Sequence, residues 1–352
     1  MRVLLFFEHQ KLIEKSGVGR ALEHQKKALS RNGIEFTTDP GDYFDIAHIN
    51  TVFPGALRMS WRARALGKTV VFHAHSTEED FRDSFIGSNL VSPLFKLWIK
   101  RCYGSADLII TPTPYSKRVL EGYGIKTPIR VVSNGVDLTF FNRAKGDRAA
   151  FRKKYGFGDD DKVILSVGLW IERKGILDFA ELARQLPEYK FIWFGGANLQ
   201  TVPTNVRQAV RGKLPNLLFP GYIGREDLRD AYRGCDLFLF PTYEETEGIA
   251  VLEALGMNTP VLLRDIPVYR DWLTDGVHVY KGGGAADLRR KIIGITTGRW
   301  RDLTQAGYLI AKERAIELVG ERLLTAYTEA RGIAGVAGRF GSGRGVPGAA
   351  DR

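Results

Sequence analysis

Short apolar runs alternate with amphipathic stretches along the first 330 residues. That rhythm belongs to a chain that lays down parallel strands and covers both faces with helices. In the first half, residues 3–7, 45–50, 69–72, 106–111 and 129–132 predict strands. Residues 20–32, 55–68, 93–103 and 115–123 predict the helices between them. A polar, charged stretch at 141–161, with Gly156 and Gly158, interrupts the pattern and predicts a boundary between domains at 1–145 and 146–330. The pattern then restarts, with strands at 163–167, 190–194, 217–219, 236–240 and 260–263. Helices are predicted at 176–186, 225–233 and 249–255, and one long helix at 304–330, free to pack back on the first domain. The Gly-, Ala- and Arg-rich residues 331–352 predict a disordered tail. The fold class implied is α/β: two facing Rossmann-like domains whose strand ends meet at a cleft, with a C-terminal helix.

Composition sharpens this picture at three points. No run of 18 or more apolar residues occurs among the 352, and the apolar start is too short for a signal peptide. Cys102 and Cys235 lie far apart inside predicted elements, which fits reduced thiols and a cytoplasmic protein. The net charge is +11, and residues 1–145 hold 21 Lys and Arg against 14 Asp and Glu. Such a surplus suits an anionic partner: nucleic acid, an acidic membrane surface or a phosphorylated substrate. No nucleic-acid motif accompanies it, so no nucleic-acid partner is expected. In 55–68, Leu57, Trp61 and Ala65 form a stripe flanked by Arg58, Arg62, Arg64 and Lys68. That pattern fits a sheet-packed helix with a solvated basic rim, or a membrane-surface contact. The helix at 93–103 carries Leu94, Leu97 and Trp98 with Lys96, Lys100 and Arg101, and is apolar on more than one side. Either full burial or burial of one face with lipid on the other explains it. Arg58, Trp61, Arg62 and Trp98 are therefore the candidate membrane and acceptor contacts.

The candidate chemistry centres on PTYEETEGIAVLEAL (241–255). Three carboxylates, Glu244, Glu245 and Glu247, follow a buried strand and precede Gly248, where a helical pattern begins and carries Glu253. In open α/β sheets ligands bind where strands end, and a helix start offers unpaired N–H groups and a positive dipole end to a phosphate. Three such loops are expected to converge: 168–175 with Arg173 and Lys174, 244–248, and 264–267. Fixed cations and helix amides suit a diphosphate, and carboxylates suit sugar or ribose hydroxyls. A merely solvated acidic loop fits three acids in that position less well. Gly17 and Gly19 bring backbone close to a ligand or make a plain tight turn. His73 and His75 end a strand without a third ligand at metal-binding spacing, so substrate contact by at least one of them is expected, with Asp80, Arg82 and Asp83 lining the same opening.

At these residues the chain resembles the retaining, GT-B-fold glycosyltransferases of family 4. Glu245-x7-Glu253 looks like that family's signature. VILSVGLWIERKG (163–175), ADLIITPTPYSKRVL (106–120) and VVSNGVD (131–137) are similar to its other segments, in the same order. The resemblance implies that Glu245 contacts the donor sugar, Glu253 the ribose, and Lys174 the diphosphate, with Gly248 and Ile249 offering backbone N–H groups. It implies His73 beside the reacting sugar, and Gly17 and Gly19 in a loop approaching donor and acceptor. It implies retention by a same-face mechanism with no metal or other cofactor. The sequence departs from the pattern at Leu169, where Arg is frequent, leaving Arg173 to supply that charge, and at 245–248, where the usual EGFG is ETEG: Thr246 replaces a glycine, which makes the loop less flexible and adds Glu247. HSTEEDFRDSFIGSN (75–89), YEETEGI and LRDIPVY (263–269) look like a lineage that includes streptococcal-type diacylglycerol-glycolipid glycosyltransferases. The function implied is transfer of a hexose from a nucleotide-diphosphate sugar, UDP-glucose or UDP-galactose, to a membrane glycolipid such as (glucosyl)diacylglycerol. The enzyme would sit peripherally on the inner face of the cell membrane, against an anionic surface. Alternatives are a polysaccharide or lipid-linked oligosaccharide acceptor, a sugar-nucleotide epimerase, and a non-catalytic nucleotide-sugar-binding subunit.

Overall fold

A computed structural model of the protein describes residues 1–9 and 16–341, the side chains of 336–341 excepted. Most of the loop expected at 8–16 and residues 342–352 of the expected tail lie outside the described residues. The first half runs β1 (Arg2–Phe6), α1 (Gly17–Arg31), β2 (Glu35–Thr37), β3 (Ile46–Ile49), α2 (Pro54–Ala65), β4 (Thr69–His73), α3 (Glu78–Phe81), α4 (Ser88–Tyr103), β5 (Leu108–Thr111), α5 (Pro114–Gly122) and β6 (Ile129–Val131). The second half runs α6 (Arg148–Tyr155), β7 (Val163–Val167), α7 (Ile176–Gln185), β8 (Lys190–Phe194), α8 (Thr204–Arg211), β9 (Leu217–Gly221), α9 (Arg225–Gly234), β10 (Leu237–Phe240), α10 (Ile249–Gly256), β11 (Val261–Arg264), β12 (Tyr280–Gly282), α11 (Ala285–Thr296), α12 (Thr304–Lys312) and α13 (Ile316–Gly341).

Each half forms a six-stranded sheet with parallel pairing throughout. The strand orders are β2-β1-β3-β4-β5-β6 and β12-β11-β10-β7-β8-β9. In the second sheet the order reverses between β7 and β10, and in the first between β1 and β3. Loops leaving neighbouring strands at a reversal go to opposite faces and open a crevice between them. Both sheets are covered on both faces, as continuous apolar strands such as Ile46–Ile49 and Leu237–Phe240 require. One core layer of the first sheet packs Leu4, Phe72 and Ile109 against α2 and α4. The other packs Val3, Leu5 and Val71 against α1 and the C-terminal α13.

Several expectations shift. The boundary stretch holds α6, whose Phe151 is buried against Ala231 and Tyr232 of the second domain. The long helix expected at 304–330 is broken between α12 and α13, because Ala315 leaves the helical path to pair with Val136. There Val136 N donates to Arg314 O and Ile316 N to Val136 O. The helix then continues past Arg331, where the tail was expected to begin, to Gly341. Gly17 and Gly19 open α1 rather than a loop, with Ser16 as N-cap accepting from Gly19 N.

One tie between the two domains is a buried carboxylate. Glu247, in the β10–α10 loop, accepts from Ser133 Oγ, from Asn134 N at 2.9 Å and from Asn134 Nδ2 at 2.8 Å. Burial pushes its pKa up and these hydrogen bonds oppose that. Glu247 is thus an interdomain clamp, and Thr113 Oγ1 adds a bond to Thr246 O beside it. Glu247→Ala leaves three buried donors without their acceptor and is expected to cost about 2–4 kcal/mol. Denaturant unfolding read by fluorescence checks this; a midpoint like the wild type's removes the clamp role.

Candidate active site

Between the two sheets lies a cavity of about 540 Å³, lined from the first domain by the start of α1 with Arg20, and by His75, Asp80 and Asn134. From the second domain it is lined by the loops after β7, β8 and β10 and by the first turn of α10. The reversal of strand order at β7/β10 puts two of these loops side by side. The third loop is 194–197 after β8, not the expected 264–267. Arg264 instead turns inward, donating to Pro241 O at 2.8 Å and Gly283 O at 2.9 Å, and pairs with Asp178 at 2.6 Å. Close backbone approach shapes the cavity floor. Gly195, at φ 141°, would place a Cβ 1.9 Å from Gly168 O. Gly248, at φ 94°, is the left-handed N-cap of α10.

The site residues fall into three groups. Lys174 is ion-paired with Glu245 Oε1 at the cavity wall; Glu245 is buried and Lys174 partly so. Thr242 Oγ1 also donates to Glu245 Oε1, at 3.1 Å. Gly248, Ile249 and Ala250 line the cavity at the positive end of the α10 dipole. One turn deeper, Glu253 is buried, with Tyr232 Oη donating to Oε2 at 3.1 Å and Arg20 Nε 3.5 Å from Oε1. Burial raises the Glu253 pKa and Arg20 pulls it back. A diphosphate against Lys174 and the helix amides, with hydroxyls on Glu245 and Glu253, would fill this arrangement without displacing backbone.

Three expected positions are corrected. Arg173 lines the cavity, but two of its nitrogens are committed elsewhere: Nη1 pairs with Asp80 at 2.7 Å and donates to Glu244 O at 2.8 Å, and Nε donates to Ser84 Oγ at 3.2 Å. It fastens the second domain to the 80–84 segment of the first, and Arg20 is the cation the sequence reading missed. The only signal for Arg20 is its place directly after Gly17-Val-Gly19. His73 does not line the cavity; its neighbour His75 does. His73 stacks beneath His75 with ring centroids 4.1 Å apart. Its Nδ1 lies 3.0 Å from Gln25 Nε2 and 3.2 Å from His48 Nε2, while Tyr327 Oη of α13 is 2.7 Å from His48 Nδ1. Burial lowers the pKa of His48 and of His75 to about 3, so both rings are neutral at pH 7. Asn50 Oδ1, 3.1 Å from His75 Nε2, orients the cavity-facing ring. Trp98, expected at the membrane surface, is partly buried and donates its ring N–H to Val52 O. Of the stripe expected on α2, Leu57 faces the core with Ala56, Met59, Ser60 and Ala63, while Trp61 and Ala65 are exposed, Trp61 with Arg58 and Arg62. The thiols of Cys102 and Cys235 are free and buried. Among the described residues no cluster of His, Cys, Asp and Glu is arranged to hold a metal ion.

Glu244 is half-buried against the first domain, where Tyr115 Oη reaches it. Burial pushes its pKa up to about 7, Asp80, Glu245 and Glu79 add to this, and the hydrogen bond from Tyr115 Oη at 3.1 Å opposes it. The folded state therefore holds its proton above the ordinary 4.5, and stability from this group is lost as pH rises from 4.5 through about 7. Glu244→Gln is expected to flatten the fall in thermal midpoint across that window. Melting curves at stepped pH check it; parallel wild-type and variant profiles contradict the assignment.

Comparison with known proteins adds independent findings. Residues 147–308 match the family model described as glycosyl transferases group 1, and residues 41–140 the one described as glycosyltransferase family 4. A processive diacylglycerol alpha-glucosyltransferase of Acholeplasma laidlawii is 42% identical over 330 residues, covering 94% of this chain and 98% of that one. An alpha-galactosylglucosyldiacylglycerol synthase of Streptococcus pneumoniae is 27% identical, over 72% of this chain and 69% of its own. Among solved structures, sucrose-phosphate synthase from Thermosynechococcus elongatus superposes with a TM-score of 0.76 at 17% identity, over 94% of this chain and 98% of that one. HepE of Anabaena, in complex with UDP-glucose, does so with a TM-score of 0.75 at 16% identity, over 94% and 100%. These two likenesses establish the GT-B fold.

Proposed function

The chain belongs to the glycosyltransferases of group 1 and family 4, and on that premise we propose that it moves a hexose from a UDP-sugar to a diacylglycerol glycolipid, with retention at the anomeric carbon. The observation that carries this reading is the Lys174–Glu245 pair beside the α10 N-terminus, in a cavity of about 540 Å³ between the two sheets. The acceptor class is supported by a relative of matching length whose name specifies diacylglycerol glucosylation. The donor class is supported by the UDP-glucose complex of a protein with the same fold.

In this reading Lys174, with the α10 amides at Gly248 and Ile249, takes the diphosphate, and Arg20 adds positive charge alongside. Glu253 holds the ribose and Glu245 the hexose hydroxyls. His75, rather than His73, stands beside the sugar as a neutral hydrogen-bonding group. Arg173 holds the 80–84 segment against the cleft. The bond from the anomeric carbon to the β-phosphate oxygen breaks as the acceptor oxygen bonds on the same face. The acceptor's hydroxyl proton passes to the departing phosphate oxygen, and UDP leaves. Lys174 and the helix dipole stabilise the developing charge, so no metal cofactor is invoked. The protein would act at the inner face of the membrane as a peripheral enzyme; among the described residues no helix is long and apolar enough to cross a bilayer.

The test is a donor screen. Purified protein with vesicles containing diacylglycerol or glucosyl-diacylglycerol is offered UDP-glucose, UDP-galactose and GDP-mannose, and nucleotide release and new glycolipid are scored together. One UDP-sugar is expected to yield an α-linked glycolipid, and EDTA is expected to leave the rate unchanged. Nucleotide release without lipid product redirects the acceptor to a soluble glycan, and no release with any donor removes the transferase reading. Glu245→Gln is expected to lower kcat by about a hundredfold, ~2.7 kcal/mol of transition-state stabilisation, with little change in thermal midpoint.

A further inference from the structure

Beneath His75 lies a buried column of polar side chains whose proton order can be worked out atom by atom. It joins Gln25 of α1, His48 of β3, Asn50, His73 of β4 and Tyr327 of α13, each at most 2% exposed. The order is set at Asn50. Its Nδ2 donates to His48 O at 3.4 Å, and a main-chain carbonyl can only accept. Asn50 Oδ1 therefore faces the other way, toward Gln25 Nε2 at 2.7 Å and His75 Nε2 at 3.1 Å. Both nitrogens must donate to it, so the His75 proton sits on Nε2. The second N–H of Gln25 reaches His73 Nδ1 at 3.0 Å, which makes Nδ1 an acceptor and puts the His73 proton on Nε2. His48 Nε2, 3.2 Å from the same Nδ1, must then carry its own proton, and His48 Nδ1 accepts from Tyr327 Oη at 2.7 Å. All three rings thus hold their proton on Nε2.

Gln25 holds this order against its own hydrogen-bonding needs. Its Nε2 donates twice, while its Oε1 is buried without a partner, as is His73 Nε2. Turning the amide over would set Oε1 against Asn50 Oδ1 and His73 Nδ1, an acceptor facing two acceptors. A buried amide that leaves its own oxygen unmet in order to donate twice is placed for the order it imposes on its neighbours. That order reaches the cavity. His75 lines it, its Nε2 is committed to Asn50, and the ring nitrogen left for a ligand is the bare Nδ1.

We propose that Gln25 is a positioning residue for sugar transfer: by donating to both Asn50 and His73 it holds His75 in its Nε2–H form and presents the Nδ1 lone pair to the hexose. The catalytic consequence rests on the reading that His75 stands beside the sugar; the proton order does not. As the bond to the departing phosphate breaks, the sugar ring gains positive charge at the anomeric carbon. A lone pair turned toward that charge, or accepting from a sugar hydroxyl beside it, is worth more in the transition state than in the ground state. An N–H in the same place would turn the positive end of its dipole toward the charge. The proton order therefore acts on kcat more than on KM.

The test uses the full chain with isotope-labelled histidine, whose bare and protonated ring nitrogens are told apart by NMR. The chain has six histidines, and the His75 signals are those lost in His75→Gln. At about pH 8.5, above the ordinary imidazole range, wild type is expected to carry the His75 proton on Nε2 alone. Gln25→Glu puts acceptors where both donors stood, so Asn50 is expected to turn its Nδ2 toward them and His75 to move its proton to Nδ1. Gln25→Met adds no charge and is expected to leave Asn50 free to turn and His75 in both forms. Asn50→Asp also buries a carboxylate, but it keeps an acceptor facing His75 and is expected to keep the proton on Nε2. That contrast separates proton order from general damage to the core. With the sugar nucleotide that the donor screen selects, both Gln25 variants are expected to lower kcat at least about tenfold and to change KM less than about threefold. UDP has no hexose, so its binding by calorimetry is expected to be unchanged. The proposal is overturned by a wild-type His75 with its proton on Nδ1, or by a His75 that stays wholly in the Nε2–H form in both Gln25 variants. It is also overturned if both variants keep the wild-type kcat. A donor screen without turnover counts against the transferase reading, while the spectra still decide whether Gln25 orders the column.

Discussion

Glu245, Glu247 and Glu253 are all taken out of water within nine residues of one another, and a buried carboxylate must be neutralised, paired or hydrogen-bonded. Each is compensated differently. Glu245 takes Lys174 from the neighbouring loop of its own domain. Glu247 takes Ser133 and Asn134, and Glu253 has Arg20 beside it, both from the first domain. Two of the three compensations thus cross the cleft. Glu253 does both: it lines the cavity and has its cation from the opposite domain.

The clamp and the site need not be confused. Glu247 is saturated by three donors and turned away from the cavity lining. Glu245 and Glu253 line it, and their partners are cations that a ligand's phosphates could share. Arg173 repeats the theme with reversed sign, since its Nη1 and Nε are held by Asp80 and Ser84 across the cleft and by the Glu244 carbonyl of its own domain. A cation at the end of a phosphate-loop pattern looks like a ligand group in the sequence, and becomes a fastener when a carboxylate from another domain reaches it first. The histidine column behaves similarly. Tyr327, His48 and His73 fill the space under His75, and the group that reaches the cavity is the one residue of the column that the strand's end leaves uncovered.

Much of this was legible in residue order. Buried parallel strands are continuous apolar runs, so 163–167 and 190–194 are found where the pattern puts them. Two short edge strands are not: β2 (Glu35–Thr37) and β12 (Tyr280–Gly282) each have three residues and take their strand geometry from the neighbour they pair with. The helices α6 and α8 were hidden by polar composition, because each buries only a residue or two, Phe151 with Arg152 in one and Val206 in the other.

By itself the sequence determined the fold class, the strand-to-helix junction at Glu244–Gly248 and the pairing of Glu245 with Glu253 across one helix start. These follow from local periodicity, which a linear pattern carries in full. Only the tertiary structure decided which of His73 and His75 faces the cavity, that Arg20 and not Arg173 is the cation left beside Glu253, and that Glu247 is a clamp. It also decided that Trp98 turns inward while Leu90, Leu94 and Leu97 stand out. Each of those outcomes depends on a partner more than 20 residues away in the chain, such as Asn50 for His75 or Asp80 for Arg173. A side chain's role in a cleft is fixed by what reaches it across space, and that information is absent from its neighbours in sequence.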